Sequence, residues 1–260
     1  MSDSVLCVVN QAVATITLNR PAARNALTTE AKESLLAAVR RCADDAQVRA
    51  VIVTGAGQAF CAGQDLREHA DQLSSRGLGD TVRQHYNPII TGIMSMPKPV
   101  IAALNGVAAG AGASLAFACD FRIAARSASL LMAFARVGLS ADSGASWTLP
   151  RLVGRARAAE LLMLADPVSA DRALAMGLVS SVVPDDELQA AAAELAGRLA
   201  AGPTAAYGAI KRALAFGATH DLADSLEEEA RLQERLGRTA DHRAATEAFL
   251  RKQQPVFEGH

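Results

Sequence analysis

A chain of 260 residues, half of them hydrophobic and 20% charged, is long enough and apolar enough to bury a large core and is not a disordered chain. Its formal net charge is −1 with no basic block, which excludes an electrostatic footprint for nucleic acid. The four cysteines (Cys7, Cys42, Cys61 and Cys119) form no CxxC pair, so neither a disulfide framework nor a metal site is expected.

The opening MSDSVL has neither the basic nor the apolar part of a secretory leader, and a reducing cytoplasm is the expected compartment. Residues 6–10 and 13–19 read as a hairpin around Gln11-Ala12. Pro21 ends it, and Thr28 or Thr29 caps a helix reaching Ala43, with Leu35, Leu36 and Val39 at helical spacing. Residues 50–54 are a buried strand leading into GAGQAFCAGQDL. A GxG after a strand hints at a dinucleotide loop, but Phe60 stands where the third glycine belongs. Residues 66–96, with Gly77-Leu78-Gly79 and a helix over about 80–94, read as a mobile, largely exposed insertion of the kind that forms a lid.

The stretch 100–119 has no charge and on length alone would suit a membrane span. Gly106, Gly110 and Gly112, with Asn105 and Ser114, argue instead for a buried strand, a tight turn and a helix. The first N–H groups of such a helix lack partners and favour an anion. Strands follow at 121–124 and 130–132, then helices at 144–152 and 156–165. Ser169 caps a short helix to Met176, and 178–183 is a further strand. From Asp185 the chain is helical, with 203–216, 221–236 and 241–252 unable to bury their apolar faces alone. The pattern is α/β, with a core over 1–200 and a helical region over 201–260 that packs on the core or on a neighbouring subunit.

Two loops are alike: Cys61-Ala62-Gly63 and Gly110-Ala111-Gly112 each follow a strand and precede a helix. Backbone N–H groups converging from two loops make an oxyanion hole, and small residues let a carbonyl approach. Two turns that merely pack helix on sheet are the alternative.

FCAGQDL at 60–66, NGVAAGAGASLA at 105–116, LNRPAARNAL at 18–27 and the run 154–183 together resemble the crotonase, or enoyl-CoA hydratase/isomerase, superfamily over nearly the whole chain. That resemblance implies a spiral of ββα turns, a trimerising helical tail and trimers that pair into hexamers. It implies an acyl-CoA substrate with no separate cofactor, and oxyanion donors at the N–H groups of Ala62 and Ala111. It also places Arg24 and Ala26, in the loop with Asn25, against the CoA phosphates and adenine. Ala62, Gly63, Gln64, Asp65 and Leu66, with Gly110 and Ala111, would border the rest of the thioester.

Hydratases of the superfamily use two glutamates, and this chain has Ser114 and Phe134 in their places, neither of which can do that work. The remaining carboxylate is Asp142, in GLSADSGASW. It is expected either to act as a desolvated general base or to belong to an N-cap, in which Asp142 or Ser143 satisfies the first N–H groups of the following helix. The motifs TGAGxxFCAGQDL, NGVAAGAGA, IAARSA, MAF and DxGxxWxLPR are most similar to the branch that isomerises 1,2-epoxyphenylacetyl-CoA, although Ala141 replaces its usual proline. An isomerase acting on that substrate or between Δ3 and Δ2 enoyl-CoA is the expected activity. A hydratase and a non-catalytic acyl-CoA-binding protein are the alternatives. His69 and His85 lie in the insertion, as pocket or exposed residues; His220, His242 and His260 are expected at the surface. Trp147 is expected in the core or at the pocket edge, Asp65 as a helix cap, and EEEAR at 227–231 as a solvated face.

Overall fold

The computed structural model describes residues 3–72 and 78–260. The chain opens with strands β1 (Val5–Asn10) and β2 (Val13–Leu18), an antiparallel pair in which Asn10 faces Val13. Gln11 and Ala12 both take left-handed φ values, 46° and 65°, which makes the two-residue turn match the twist of the strands. Helix α1 (Thr29–Asp44) follows, with the Thr28 hydroxyl accepting from Ala31 N at 3.2 Å.

Three turns of one design come next. Strand β3 (Ala50–Gly55) leads to the short β4 (Ala59–Cys61) and to helices α2 (Leu66–Gln72), α3 (Leu78–Thr81) and α4 (Asn87–Ser95), the last two joined by a π-helical turn over Val82–Tyr86. Strand β5 (Val100–Leu104) leads to β6 (Val107–Ala109) and α5 (Ala111–Ala118). Strand β7 (Phe121–Ala125) leads to β8 (Ser129–Leu131), a 3₁₀ turn over Ala133–Val137 and α6 (Ala145–Leu164). Then come β9 (Val168–Ser169), α7 (Ala170–Ala175), β10 (Ser181–Val183), α8 (Leu188–Ala200), α9 (Thr204–Gly217), α10 (Leu222–Leu236) and α11 (Ala240–Leu250).

The first strand of each turn enters a six-stranded sheet in the order β1-β2-β3-β5-β7-β10, parallel except for β1. The second enters a four-stranded sheet, β4-β6-β8-β9. Every residue of β3 and β5 is buried, as expected of parallel strands covered on both faces. The repeats are stitched by asparagines. Asn105 accepts from Gly55 N at 3.1 Å and donates to the carbonyls of Gly57 and Ala59. Asn25, itself buried, donates to Ala56 O and Ala59 O.

Three expectations need correction. The segment after residue 81 is not a largely exposed lid: Ile89, Ile90, Ile93 and Met96 are buried, and α4 packs against α1 and α5. Gly77 of the Gly77-Leu78-Gly79 turn, with residues 73–76 before it, lies outside the described residues. The strand at 178–183 is only its second half. Leu178 N and Val179 N both bond Ala173 O, closing α7 behind the left-handed Gly177, so pairing with β7 starts at Ser181. Trp147 belongs neither to the core nor to the apolar cavity described below. It stacks on Arg151, 3.9 Å from guanidinium carbon to ring centre, at a separate cleft beside Lys211.

Helix α8 buries Leu188, Ala192, Ala196 and Leu199 against the large sheet. The helices after it leave Ile210, Leu214, Leu222, Leu226, Phe249 and Leu250 exposed. Among the described residues no helix is long and apolar enough to cross a membrane.

Candidate active site

An apolar cavity of about 120 Å³ opens where the β4–α2 loop, the start of α5 and the loop before α6 converge. Ala62, Gly63 and Gln64 supply one side, Gly110 and Ala111 the floor, and Phe134, Val137, Leu139 and Asp142 the far wall. Thr81, Val82 and Tyr86 close it from the α3–α4 segment, and Leu66 and His69 from α2. Close packing at the loops requires glycine: at Gly63 φ is +88°, and a Cβ there would sit 2.7 Å from Ala109 O.

The N–H groups decide what this cavity can bind. Gly63 O accepts from Leu27 N, and Asp65 N donates to Leu27 O, so both face the α1 side. Backbone alternation therefore turns the Gln64 N–H the other way, toward the cavity. Gln64 N–H has no acceptor among the described residues, and neither has Ala111 N–H at the first position of α5. The expected donor Ala62 is corrected here: its N–H is already given to Arg24 O at 3.0 Å. The two N–H groups left for the cavity are therefore those of Gln64 and Ala111, and the Leu27–Gln64 bridge that decides between Ala62 and Gln64 is a long-range contact that no local sequence pattern carries.

Asp142 is the one carboxylate among the described lining residues. Burial pushes its pKa up; the Ser143 hydroxyl, 2.8 Å from Oδ1, and the charge of Lys32 pull the other way without cancelling it. Its side chain caps nothing. The helix is entered through Gly144 at φ 75°, and only the Asp142 carbonyl accepts, from Ala145 N. The Ser143 hydroxyl is spent on Asp142 rather than on the helix. Ser114 is fully buried with its hydroxyl donated to Gly110 O, and Phe134 presents a ring to the cavity. Cys61, beneath the loop, is no nucleophile: burial raises its thiol to about 12.

A second cleft, about 630 Å³, adjoins the first, with Leu66 lining both. Arg20, Arg24, Ala26, Asp65 and Arg67 line it. Arg24 is exposed in a left-handed turn. Asp65 is a helix cap, accepting from Arg67 N and Glu68 N, and is paired with Arg20 at 2.9 Å. Burial opposes its charge, but the Arg20 hydrogen bond and these N–H groups hold its carboxyl below the usual range. The residues singled out in sequence thus gather in two joined clefts. His69 lines the first and His85 is buried beside Thr81, whereas His220, His242 and His260 are exposed. Among the described residues no group of three or more His, Cys, Asp or Glu side chains is placed to hold a metal ion.

Residues 8–260 match the family model described as enoyl-CoA hydratase/isomerase. The chain belongs to the enoyl-CoA hydratase/isomerase family. It is 44% identical to a probable enoyl-CoA hydratase of Rhodobacter capsulatus over 96% of each chain. It is 42% identical to the 1,2-epoxyphenylacetyl-CoA isomerase of Escherichia coli over the full length of both. A crystal structure from Mycobacterium abscessus, assigned as an enoyl-CoA hydratase/isomerase, superposes with a TM-score of 0.94 at 46% identity, covering 98% of this chain and all of that one. The paired sheets and ββα turns are thus the crotonase fold, and the family's substrates are acyl-CoA thioesters.

Proposed function

We propose that the protein is an acyl-CoA isomerase in which Asp142 moves a proton while Gln64 N–H and Ala111 N–H hold a thioester oxygen. One observation carries this reading: among the described residues, one carboxylate raised by burial shares an apolar cavity with two N–H groups that have no acceptor. Proton removal next to a thioester leaves an enolate whose charge sits on the carbonyl oxygen, and each well-placed donor stabilises that charge by about 2.7–4 kcal/mol. Burial raises the Asp142 carboxyl above its ordinary range, the direction that makes its carboxylate a stronger base. The proton returns from Asp142 to a carbon further along the acyl chain, so the product is an isomer and neither water nor a redox partner is consumed. The adjoining cleft with Arg24, Ala26 and Asp65 holds the CoA nucleotide, and no other cofactor is needed.

The favoured substrate is 1,2-epoxyphenylacetyl-CoA, supported by the relative of Escherichia coli: there the ring C–C bond bridged by the epoxide oxygen opens to a seven-membered ring and the α-proton is returned to a ring carbon, whereas Δ3–Δ2 enoyl-CoA isomerisation moves the proton along an open chain. Turnover by wild type and Asp142→Asn on 3-enoyl, 2-enoyl and ring-epoxide phenylacetyl thioesters tests it. Isomerisation lost in the variant, with CoA binding retained, is expected. Hydration that survives the substitution would overturn it, and CoA binding without any turnover would leave a non-catalytic acyl-CoA-binding protein. A hydratase is the second reading, favoured by His69, which lines the cavity as a further proton-transfer group.

The exposed Ile210, Leu214, Leu222 and Leu226 of α9 and α10 are the proposed trimer contacts. Leu214→Glu with Leu226→Glu is expected to give monomers in light scattering; an unchanged mass would refute this assignment.

A further inference from the structure

Lys32 is among the largest side chains fully buried in the protein, at 1% exposure, in the first turn of α1. Its ammonium donates to Gln64 Oε1 at 3.1 Å and to Thr81 Oγ1 at 2.7 Å, and lies 5.2 Å from the centre of the Tyr86 ring. Both acceptors are neutral, and no carboxylate among the described residues is within ion-pair distance of it. A buried ammonium is ordinarily paired with a carboxylate, because desolvating the charge is costly. Here burial lowers the Lys32 pKa, and Glu68, Asp142 and Glu33 oppose that only from a distance. An arrangement with such a cost calls for a compensating use.

The contacts indicate what that use is. Tyr86, whose phenol burial keeps protonated, donates to the same Gln64 Oε1 at 2.7 Å. Gln64 Nε2 in turn donates to Asp65 O at 3.3 Å. The Gln64 side chain is therefore gripped at both ends while its backbone N–H faces the cavity. Thr81 and Tyr86 also line that cavity, so the ammonium joins the α3–α4 wall to the loop bearing the donor.

We propose that Lys32 is a positioning residue for the oxyanion donor at Gln64: with the Tyr86 hydroxyl it clamps Gln64 Oε1 and sets the direction of the Gln64 N–H. This rests on the reading of the cavity as a thioester-enolate site. Lys32 itself does not line the cavity and touches no substrate.

The probe is cinnamoyl-CoA, a conjugated thioester whose absorption moves to longer wavelength when its carbonyl is polarised. Difference spectra would be recorded for wild type, Lys32→Met, Lys32→Arg and Tyr86→Phe, alongside calorimetric binding of free CoA. Wild type is expected to give a red shift. Lys32→Met should lose most of it with CoA affinity within about twofold, and kcat on the turned-over substrate should fall roughly 10- to 100-fold with little change in KM, as expected for a misaimed donor. Lys32→Arg should restore part of the shift and Tyr86→Phe should give an intermediate one. A wild-type shift that Lys32→Met preserves would overturn the proposal alone. No shift in wild type would sink the enolate-site reading and this proposal with it. Should Lys32→Met fail to fold, Tyr86→Phe and Thr81→Val each remove one bond of the clamp, and a full shift in both would equally overturn it.

Discussion

The two sides of the cavity are built by different means. The donor side, residues 62–65 and 110–112, acts through its backbone: a Cβ at Gly63 or Gly112 would collide with a neighbouring carbonyl, and Gly63 O, Asp65 N–H, Ala62 N–H and Gly110 N–H are taken by Leu27, Arg24 and Leu131. The opposite wall, residues 133–142, is made of side chains, with Val137 and Leu139 partly open to solvent and Asp142 among them. The donor side stabilises charge on an oxygen and could serve many thioester reactions. The wall determines which proton moves and which acyl group fits. A family can thus keep one and vary the other, and relatives of this chain carry names for hydration and for isomerisation.

The sharpest way to break this division is Asp142→Asn. Loss of a general base should lower kcat by about 10²–10⁴-fold while the cinnamoyl-CoA red shift survives, since the donors are untouched. Loss of the shift as well would mean that the two sides are not separable. Gly63→Ala is the reciprocal change. Its φ of +88° and the 2.7 Å approach of a Cβ to Ala109 O force the loop to move, and the left-handed conformation alone costs an alanine about 1–2 kcal/mol. Thermal melts should show that loss, and the red shift should vanish although Asp142 is intact. A variant with wild-type stability and spectrum would refute the close packing.

The smallest effect concerns stability. The folded-state pKa of Asp142 is raised, so its ionisation opposes folding. The penalty is absent below the ordinary aspartate range, grows as pH rises through it, and is complete above the folded value. Asp142→Asn should therefore melt higher than wild type at neutral pH, and the two curves should converge in acid. A variant less stable than wild type at neutral pH would assign Asp142 a structural role.

Much was legible from local pattern. The buried strands at 50–54 and 100–104, the caps at Thr28, Asp65 and Ser169, and the break in α6 at Gly154 all follow from short-range rules, because each depends on neighbours a few residues away. Asp142 and the two glycine-rich loops could be singled out because residue type restricts the chemistry available. Three matters were decided only by tertiary structure. Which N–H group is free depends on Leu27 and Arg24, about 40 residues earlier, which take the partners of Gly63, Asp65 and Ala62. The burial of α4 depends on α1 and α5 meeting it, which its mixed sequence does not disclose. Nothing in the sequence separates Lys32 from any helical lysine, since only the folded chain places Gln64, Thr81 and Tyr86 around its ammonium. Residue type and spacing specify the elements and the candidate chemistry. Long-range hydrogen bonding and desolvation determine which of those groups remain free to act.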